Sequence, residues 1–211
     1  MKIDALRIDH IVYAAPDLEA AIDDLEQRLG VRASKGGSHV GLGTRNALIS
    51  FKDESYLELI GPDEEQGEPF SPRPFGIDSL SAARLVAWAA KESDLEKRIE
   101  IARAGDFEVG RVIPMSRVTP SGERLEWRLT IRATPGGEGL VPFLIDWGNS
   151  PHPSSGAAKG CHLIGLRGEH PDPGSVDLQL TVLGASLPVS KADEVALVAT
   201  LDTPRGRVEL R

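Results

Sequence analysis

The fold of this chain is decided by residues 6–29, which read LRIDHIVYAAPDLEAAIDDLEQRL. The first part is apolar and alternating and runs into Pro16-Asp17. Apolar residues then stand at positions 18, 21, 22, 25 and 29, a spacing that places them on one helix face. Asp17 suits the N-cap of that helix and Gly30 suits its C-terminal end. The stretch therefore predicts a strand followed directly by an amphipathic helix.

The same pattern returns 77 residues later. The sequence Asp-Leu-Glu at 94–96 repeats that at 17–19, and Gly105 closes the second helix as Gly30 closes the first. Ser93 and Glu96 also form a capping-box pattern at the start of this helix. Because cap, helix face and end recur together, we interpret the chain as an internal repeat.

A fainter third copy starts near His162, with Asp172 at the cap position and Gly184 at the helix end. Strand-like runs follow the three helices, at 39–42, 47–51 and 56–60, then 107–112, 125–132 and 142–147, and then 187–189, 195–201 and 207–210. Each unit thus reads strand–helix–strand–strand–strand. The expected fold is α+β, with two paired modules forming a cup-shaped curved sheet and a shorter third module at the C-terminus.

The domain organisation follows from the repeat. Residues 1–153 are expected to form one domain from modules 6–61 and 84–148, with residues 160–211 as a C-terminal module packed on it. The stretch at 148–160, GNSPHPSSGAAKG, is too long for a tight turn. It is either a linker to the third module or a flap over the cup.

Composition excludes several classes of function. The chain has 211 residues, with 24 Lys and Arg against 32 Asp and Glu, a net charge of −8. This acidic balance argues against nucleic-acid binding. No apolar run approaches the ~18 residues of a membrane-spanning helix, and no signal-peptide pattern opens the chain. The lone Cys161 cannot form an internal disulfide. We therefore expect a cytoplasmic protein with neither nucleic acid nor membrane as partner.

Five segments together resemble a known family: DHIVYAAPDLEAAI at 9–22, SHVGLGTRN at 38–46, YLELIG at 56–61, RLEWRL at 124–129 and PFLIDW…HP at 142–153. The chain resembles the vicinal oxygen chelate superfamily, which includes glyoxalase and the extradiol dioxygenases. More narrowly, it is similar to the glyoxalase-like domain proteins of bacteria. The resemblance covers about residues 6–153. It implies a cup that holds a divalent metal through ligands on the first and last strands of each module.

The resemblance implies a particular set of metal ligands. The first-strand ligand falls on His10 and the last-strand ligand on Glu58, whereas the offset of 77 leads to Ala87, which cannot bind metal. The last-strand position of the second module falls on or near Asp146. One imidazole and two carboxylates suit Zn²⁺, Fe²⁺ or Mn²⁺. No nucleotide cofactor is expected.

Three interpretations of His10 and Glu58 remain open at this point. They hold a catalytic metal, or they line a polar pocket that needs no metal, or they form a buried structural pair. In each case the two side chains should lie within ~4–5 Å of one another or share one ion.

The remaining candidates are two histidines and the walls of a pocket. His39 and His152 are candidate catalytic residues that move a proton, against the alternatives of a surface loop and an ordinary turn. The expected substrate-binding residues are Asn46, Trp127, Phe143 and Trp147. Phe143 and Trp147 share one face of a strand, and Asp146 points the other way. If the aromatic face lines the cup, Asp146 cannot be a metal ligand.

These features predict a glyoxalase-like enzyme that acts on a small organic substrate in the cup, as an isomerase, a lyase or a dioxygenase. In each case a metal held by His10 and Glu58 would polarise a substrate oxygen. The alternative is a non-catalytic protein of the same fold that binds or sequesters a small molecule. The sequence leaves open whether the third module packs on its own chain or completes the cup of a partner in a homodimer.

Overall fold

The structure of the protein is a computed structural model that describes residues 5–51, 54–132 and 136–211. Within these residues the strands are β1 (Arg7–Ala14), β2 (Ser34–His39), β3 (Thr44–Ser50), β4 (Tyr56–Pro62), β5 (Arg84–Lys91), β6 (Arg111–Val118), β7 (Arg124–Ile131), β8 (Phe143–Asp146), β9 (His162–His170), β10 (Val189–Lys191), β11 (Ala196–Thr203) and β12 (Gly206–Leu210).

The helices are α1 (Leu18–Leu29), α2 (Leu95–Ala104) and α3 (Pro173–Leu183), with short 3₁₀ turns at Glu64–Gln66, Pro74–Ser79, Gly136–Gly139 and Pro153–Ser155. Among the described residues, no helix is long and apolar enough to cross a membrane.

The first eight strands form one curved sheet in the order β2-β3-β4-β1-β5-β8-β7-β6. Each strand of the first module has a counterpart in the second, β1 with β5, β2 with β6, β3 with β7 and β4 with β8. Replacing every strand by its counterpart gives the same order read from the other end. The two central strands β1 and β5 run antiparallel, and each pairs in parallel with the last strand of its own module. The predicted fold class is confirmed, with two strand–helix–strand–strand–strand modules related by a pseudo-twofold axis. We call the concave face of this sheet the cup.

The register of β1 and β5 confirms the 77-residue repeat. His10 lies opposite Ala89, and Val12 lies opposite Ala87. Ala87 is the repeat equivalent of His10 and Ala89 that of Val12, so the two pairs are exchanged by the repeat. Ile11 lies opposite Trp88, and Trp88 is the residue that corresponds to Ile11 in the second module. The pseudo-twofold axis therefore passes between these two residues. Both side chains are almost completely buried. Their burial holds the modules together at the axis, and each such side chain contributes ~1.5–3 kcal/mol.

Each of the three helices begins at an aspartate whose side chain caps it. The carboxylate accepts a hydrogen bond from the backbone N–H three residues on: Asp17 from Ala20 at 3.0 Å, Asp94 from Lys97 at 3.1 Å and Asp172 from Ser175 at 3.4 Å. The predicted ends at Gly30, Gly105 and Gly184 are also observed. In α2 the capping residue is Asp94, so the capping box that begins at Ser93 was wrong.

Two predicted strands are displaced along the chain. Of the predicted run 39–42, only His39 lies in a strand, and residues 40–43 form the turn after β2, because Gly41 and Gly43 adopt positive φ angles of 81° and 61°, which suit a turn and not a strand. The run at 107–112 lies mostly before β6, and Gly110 has a φ of 99°. The real strand extends to Val118. His39 therefore ends a strand instead of opening one.

The third module has its own sheet, in the order β10-β9-β11-β12. Its helix α3 packs beside α2, and the apolar residues of both join the same core as α1. The backbone N–H of Leu6 donates to the carbonyl of Gly184 at 3.2 Å, which ties the start of the chain to the end of α3. This layer packs behind the large sheet, and residues 193–197 of the same module also line the cavity of the cup.

The two outer strands of the large sheet, β2 and β6, approach each other without pairing as a ladder. We call this line of contact the seam. Arg117 Nη1 donates to the carbonyl oxygen of Gly36 at 2.8 Å across it. A Cβ at Gly37 would lie 2.6 Å from the carbonyl oxygen of Val118, too close for any side chain. The seam nearly closes the cup into a barrel.

The cap assignment predicts unequal effects of two neighbouring substitutions. Asp94→Ala should lower the free energy of unfolding by about 1 kcal/mol, because the backbone N–H of Lys97 in the first turn of α2 loses its acceptor. Ser93→Ala should change it by less than about 0.5 kcal/mol, because Ser93 is exposed. Denaturant unfolding measures both, and equal losses would restore the capping box.

The packing of the third module predicts that the thiol of Cys161 reacts slowly. Cys161 is buried just before β9, and burial raises the pKa of its thiol to about 11. At pH 8 its thiolate fraction is therefore about 100-fold lower than that of an unfolded cysteine. A thiol reagent should label the native protein slowly and the denatured protein at once. Equal labelling rates would contradict this packing.

Candidate functional site

A cavity of about 1200 Å³ opens on the concave face of the large sheet. Alternate residues of its strands point into this space, as the two-residue period of a strand requires. The first module contributes His10, Tyr56 and Glu58, whereas the second contributes Trp127 and Phe143 together with the charged Arg117. The cup therefore places a cluster of polar groups opposite a wall that combines aromatic rings with a buried arginine.

A β-bulge in β1 brings Asp9 to the same site. Ile8 lies opposite Ala90 and His10 lies opposite Ala89, so Asp9 is an additional residue in the ladder. In a regular strand, Asp9 and His10 would point to opposite faces. The bulge instead lets their side chains meet, and the Asp9 carboxylate lies 2.7 Å from Nδ1 of His10.

Asp9 is fully buried and accepts hydrogen bonds from three side chains. Nδ1 of His10 donates at 2.7 Å, Nε1 of Trp147 at 3.1 Å and Nε2 of His152 at 3.1 Å. Burial raises the pKa of Asp9, but the hydrogen bonds and electrostatic attraction of His10 and His152 outweigh it and hold the pKa well below its usual range. The group is a carboxylate at neutral pH.

The Asp9 carboxylate fixes the orientation and tautomer of His10. Because a carboxylate only accepts, Nδ1 of His10 must carry a proton, and Nε2 then faces the cavity. Nε2 lies 3.6 Å from Oε2 of Glu58, and the ring stacks on Tyr56 with centroids 4.7 Å apart. Burial raises the pKa of Tyr56 well above its usual value, which keeps it a neutral phenol. The predicted proximity of His10 and Glu58 is confirmed.

Glu58 is held from its other side by Asn46. The amide nitrogen of Asn46 donates to Oε1 of Glu58 at 2.6 Å and lies 3.3 Å from Nε2 of His39. The amide oxygen accepts from the backbone N–H of Gly37 at 3.0 Å, which settles which end of the amide is which. A Cβ at Gly36 would lie 2.0 Å from that oxygen, so this position has no room for a side chain.

His39 is a buried, neutral member of this network. Burial lowers its pKa, and the charge of Glu58, which acts in the other direction, does not compensate. Nδ1 lies 3.1 Å from the hydroxyl of Thr44, and Nε2 accepts from Asn46. His39 lines the cavity, so the alternative of a surface loop histidine does not apply.

His152 comes from the segment after β8, which packs against β3 beside the cup. We call residues 148–158 the plug, because Ser50 N donates to Ala158 O at 2.7 Å and fastens the segment to β3. Both ring nitrogens of His152 are engaged, Nε2 by Asp9 and Nδ1 by Ser154 at 2.7 Å. Residues 148–158 pack beside the cup and none of them lines the cavity, so neither the flap nor the linker is a full description of this segment.

Asp146 lies outside the cup, and its assignment as a metal ligand is corrected here. Its carboxylate accepts from Arg128 at 2.8 Å on the convex side of the sheet. The register explains the error, because Glu58 lies opposite Val12 and the equivalent of Val12, Ala89, lies opposite Phe143. Phe143 thus takes the place of the second carboxylate.

The four predicted substrate-binding residues all line the cavity, namely Asn46, Trp127, Phe143 and Trp147. The ring of Phe143 meets that of His10 edge-on, with centroids 5.5 Å apart, and the two indoles lie 5.1 Å apart. The indole N–H of Trp147 is bound to Asp9, so this residue is both wall and support.

The donor set does not fit the metal that the resemblance implies. A catalytic ion of this kind takes three protein ligands, and in the described parts of the chain no group of three His, Cys, Asp or Glu side chains is arranged to hold one. His10 and Glu58 supply two donors, and Ala87 and Phe143 occupy the equivalent positions. His39 is no third ligand, because the Asn46 amide donates to it.

Sequence reasoning missed Asp9, Tyr56 and Arg117. Arg117 is on β6, buried, and lines both this cavity and a smaller one of about 390 Å³ beside the plug. Alternation along strands could have placed Tyr56 beside Glu58, since they stand two residues apart. The bulge that turns Asp9 inward has no signal in a single sequence.

Comparisons with known proteins agree with the resemblance. The family model described as a glyoxalase-like domain matches residues 8–184, and no curated protein matches the chain. A hypothetical protein from Staphylococcus aureus has a similar structure, with a TM-score of 0.64 at 16% identity over 97% of this chain and 84% of that chain.

Two methylmalonyl-CoA epimerase structures are more distant. A variant of the Streptomyces coelicolor enzyme gives a TM-score of 0.46 at 20% identity, over 70% of this chain and 98% of that one. The Mycobacterium tuberculosis enzyme gives 0.43 at 18% identity, over 74% and 97%. The similarity to the staphylococcal protein shows a shared fold.

The role of Asp9 predicts a large loss of stability when it is removed. Asp9→Ala leaves three buried donors without their acceptor, and we expect the free energy of unfolding to fall by about 3 kcal/mol or more. Asp9→Asn keeps one acceptor oxygen and should lose less. Denaturant unfolding followed by tryptophan fluorescence measures both.

The matched control for these variants is Asp23→Ala, which removes an exposed ion pair with Arg32. This change should cost less than about 0.5 kcal/mol. If Asp9→Ala unfolds at the same denaturant concentration as this control, Asp9 does not organise the site.

Proposed function

We propose that this chain, which belongs to the glyoxalase-like domain family, is an enzyme that moves a proton on a small organic substrate held in the cup. One observation carries the proposal: a chain of buried polar groups, Asp9, His10 and Glu58, ends at a cavity that Trp127 and Phe143 line from the second module. Buried polar groups of this kind are costly unless they are paired or functional.

His10 is the proposed base. Its Nδ1–H is committed to Asp9, so Nε2 is the nitrogen that can take up a proton from a substrate in the cavity. An imidazole held in one tautomer by a carboxylate is a competent general base. A C–H bond next to a substrate carbonyl would break, the proton would go to Nε2 and the electron pair would pass to the carbonyl oxygen.

Glu58 is the proposed partner of this base. Its Oε2 lies 3.6 Å from Nε2 of His10, and Asn46 holds its other oxygen. A carboxylate at this distance favours the imidazolium that forms when the proton is taken up. Return of the proton to another substrate atom completes an isomerisation, and loss of a neighbouring group completes a lyase reaction. Between the three predicted reaction types, this chemistry favours isomerase or lyase.

No step of this proposal passes through a metal. His10 and Glu58 offer two donors for Zn²⁺, Fe²⁺ or Mn²⁺, and the positions that would complete the set are apolar. The proposed roles therefore need only the groups of the chain. His39 and His152 support this arrangement, His39 by holding Asn46 and His152 by holding Asp9.

A non-catalytic binding protein is the second candidate. The observation that favours it is the asymmetry of the cup, where Ala87 and Phe143 replace the polar residues of the first module. A half-polar cup with aromatic walls suits retention of a small molecule. The two candidates differ in one respect, since only the enzyme exchanges substrate protons with water.

The proposal predicts hydrogen–deuterium exchange on carbon acids. The protein is incubated in D₂O with a panel of small 2-oxo acids, 2-oxo amides and ketones, and ¹H NMR follows the loss of the proton next to the carbonyl. The wild type should accelerate exchange for some of them, and His10→Ala and Glu58→Gln should lower the rate by about 10²–10⁴-fold, because the base or its partner is gone.

Matched controls are His162→Ala and Glu65→Gln, whose side chains lie outside the cavity and should leave the rate unchanged. Exchange should persist in EDTA. A requirement for added Zn²⁺, Fe²⁺ or Mn²⁺ would contradict the metal-free proposal. Binding of panel compounds without any exchange would favour the binding protein.

A further inference from the structure

We propose that Arg117 is the anion subsite of the cup and that the substrate carries a carboxylate that binds there. This inference rests on the proposed function and names the substrate class for the same site. The observation behind it is a buried guanidinium that faces the cavity without a counter-ion.

Arg117 is 4% exposed, and it lines the cavity from β6, two residues after Met115 on the same strand face. Its Nη1 donates to the carbonyl oxygen of Gly36 at 2.8 Å. A carbonyl satisfies one N–H group and carries no net charge. Among the residues that the structure describes, no carboxylate forms an ion pair with Arg117.

A charge in this position is costly without a partner. Buried charges in proteins are usually paired or bound to a ligand, because the lost hydration must be replaced. An arginine presents several N–H groups in a planar fork, which matches the two oxygens of a carboxylate. Arg117 has no ion pair among the described residues, and its charge is therefore suited to a ligand anion that arrives with the substrate.

The other arginines around the cavity are paired, exposed or less deeply buried. Arg73 is paired with Asp78 at 2.7 Å, whereas Arg84 is exposed where β5 begins. Arg132 is half-buried and lies over the ring of Phe107, with its guanidinium carbon 4.7 Å from the centroid, and its Nη1 has no hydrogen-bond partner among the described residues. Arg117 is thus the deeply buried arginine on the cup face that has no acidic partner.

The charge of Arg117 reaches the groups proposed to move the proton. Burial lowers its pKa, and Tyr56 and Glu58 act on it in the opposite direction. A substrate carboxylate at Arg117 would therefore lie within electrostatic range of Glu58. This arrangement fixes one end of the substrate and leaves the remaining carbon atoms between the aromatic walls and His10.

A monoanionic carboxylate fits this subsite better than a phosphate. One guanidinium balances one negative charge, and the second charge of a phosphate would lie within electrostatic range of Glu58 without compensation. The walls beside it, Trp127 and Phe143, favour a small apolar body. The expected ligands are small organic acids such as 2-oxo acids.

The test compares pyruvate with its uncharged isostere pyruvamide by quenching of Trp127 and Trp147, which line the same cavity. The wild type should bind pyruvate at least about 10-fold more tightly than pyruvamide. Arg117→Met should lose this preference and weaken pyruvate binding by about 10–100-fold. Equal affinity of the wild type for both compounds would overturn the inference.

Two further variants keep the test decisive. Arg117→Gln removes the charge but can still donate to Gly36, so it replaces Arg117→Met if that variant does not fold. Arg84→Met removes an exposed arginine from the same cavity and should bind pyruvate as the wild type does. If Arg84→Met loses the preference and Arg117→Gln keeps it, the subsite is at Arg84 and the inference is wrong.

Inorganic phosphate and the exchange assay complete the design. If phosphate displaces bound pyruvate at lower concentration than acetate does, the carboxylate assignment is wrong. A preference for pyruvate that depends on Arg117, found in a protein that exchanges no substrate protons, would support this inference while contradicting the proposed function. If the protein exchanges protons equally fast on substrates with and without a carboxylate, the proposed function is supported and this inference is contradicted.

Discussion

The site depends on one buried carboxylate. Asp9 lies in the interior, where an ion is tolerated only if donors surround it, and its three donors come from three separate parts of the chain. His10 is its neighbour in β1, Trp147 follows β8 and His152 belongs to the plug. The need to compensate one charge therefore joins the first module, the second module and the plug, and it sets the tautomer of His10 at the same time.

The two modules share a backbone and divide the chemistry. The bulge at Asp9 recurs at Val86, 77 residues later, where β5 shows the matching shift in register. The repeat thus keeps the irregularity and changes the side chains, from Asp9 and His10 to Val86 and Ala87. At these equivalent positions the first module has polar side chains and the second has apolar ones, while Arg117 adds a charge on the side of the second module. A cup built in this way can orient an organic molecule between the polar groups around His10 and the wall that holds Arg117, Trp127 and Phe143.

The sequence predicts those features that depend on local periodicity. The helices, their aspartate caps and the repeat all follow from spacing and cap chemistry, and the meeting of His10 with Glu58 follows from strand alternation within the resemblance. The failures arise where register or bulges decide. Asp146 was assigned three residues away from Phe143, because pairing between distant strands is invisible in one sequence. Asp9 was overlooked, because alternation places it on the face opposite His10.

The seam between β2 and β6 gives the cup an uneven resistance to thermal motion. Neighbouring strands elsewhere in the sheet pair through their backbones. At the seam, the side chain of Arg117 bonds to the carbonyl of Gly36 across the gap, and Gly37 lets the strands lie close because it has no side chain. Local opening in proteins starts where few bonds must break at once. Local separation of β2 from β6 would admit water to the guanidinium of Arg117 while the paired strands stayed together. The seam is therefore a route for solvent into the cup, on the side opposite the symmetry axis.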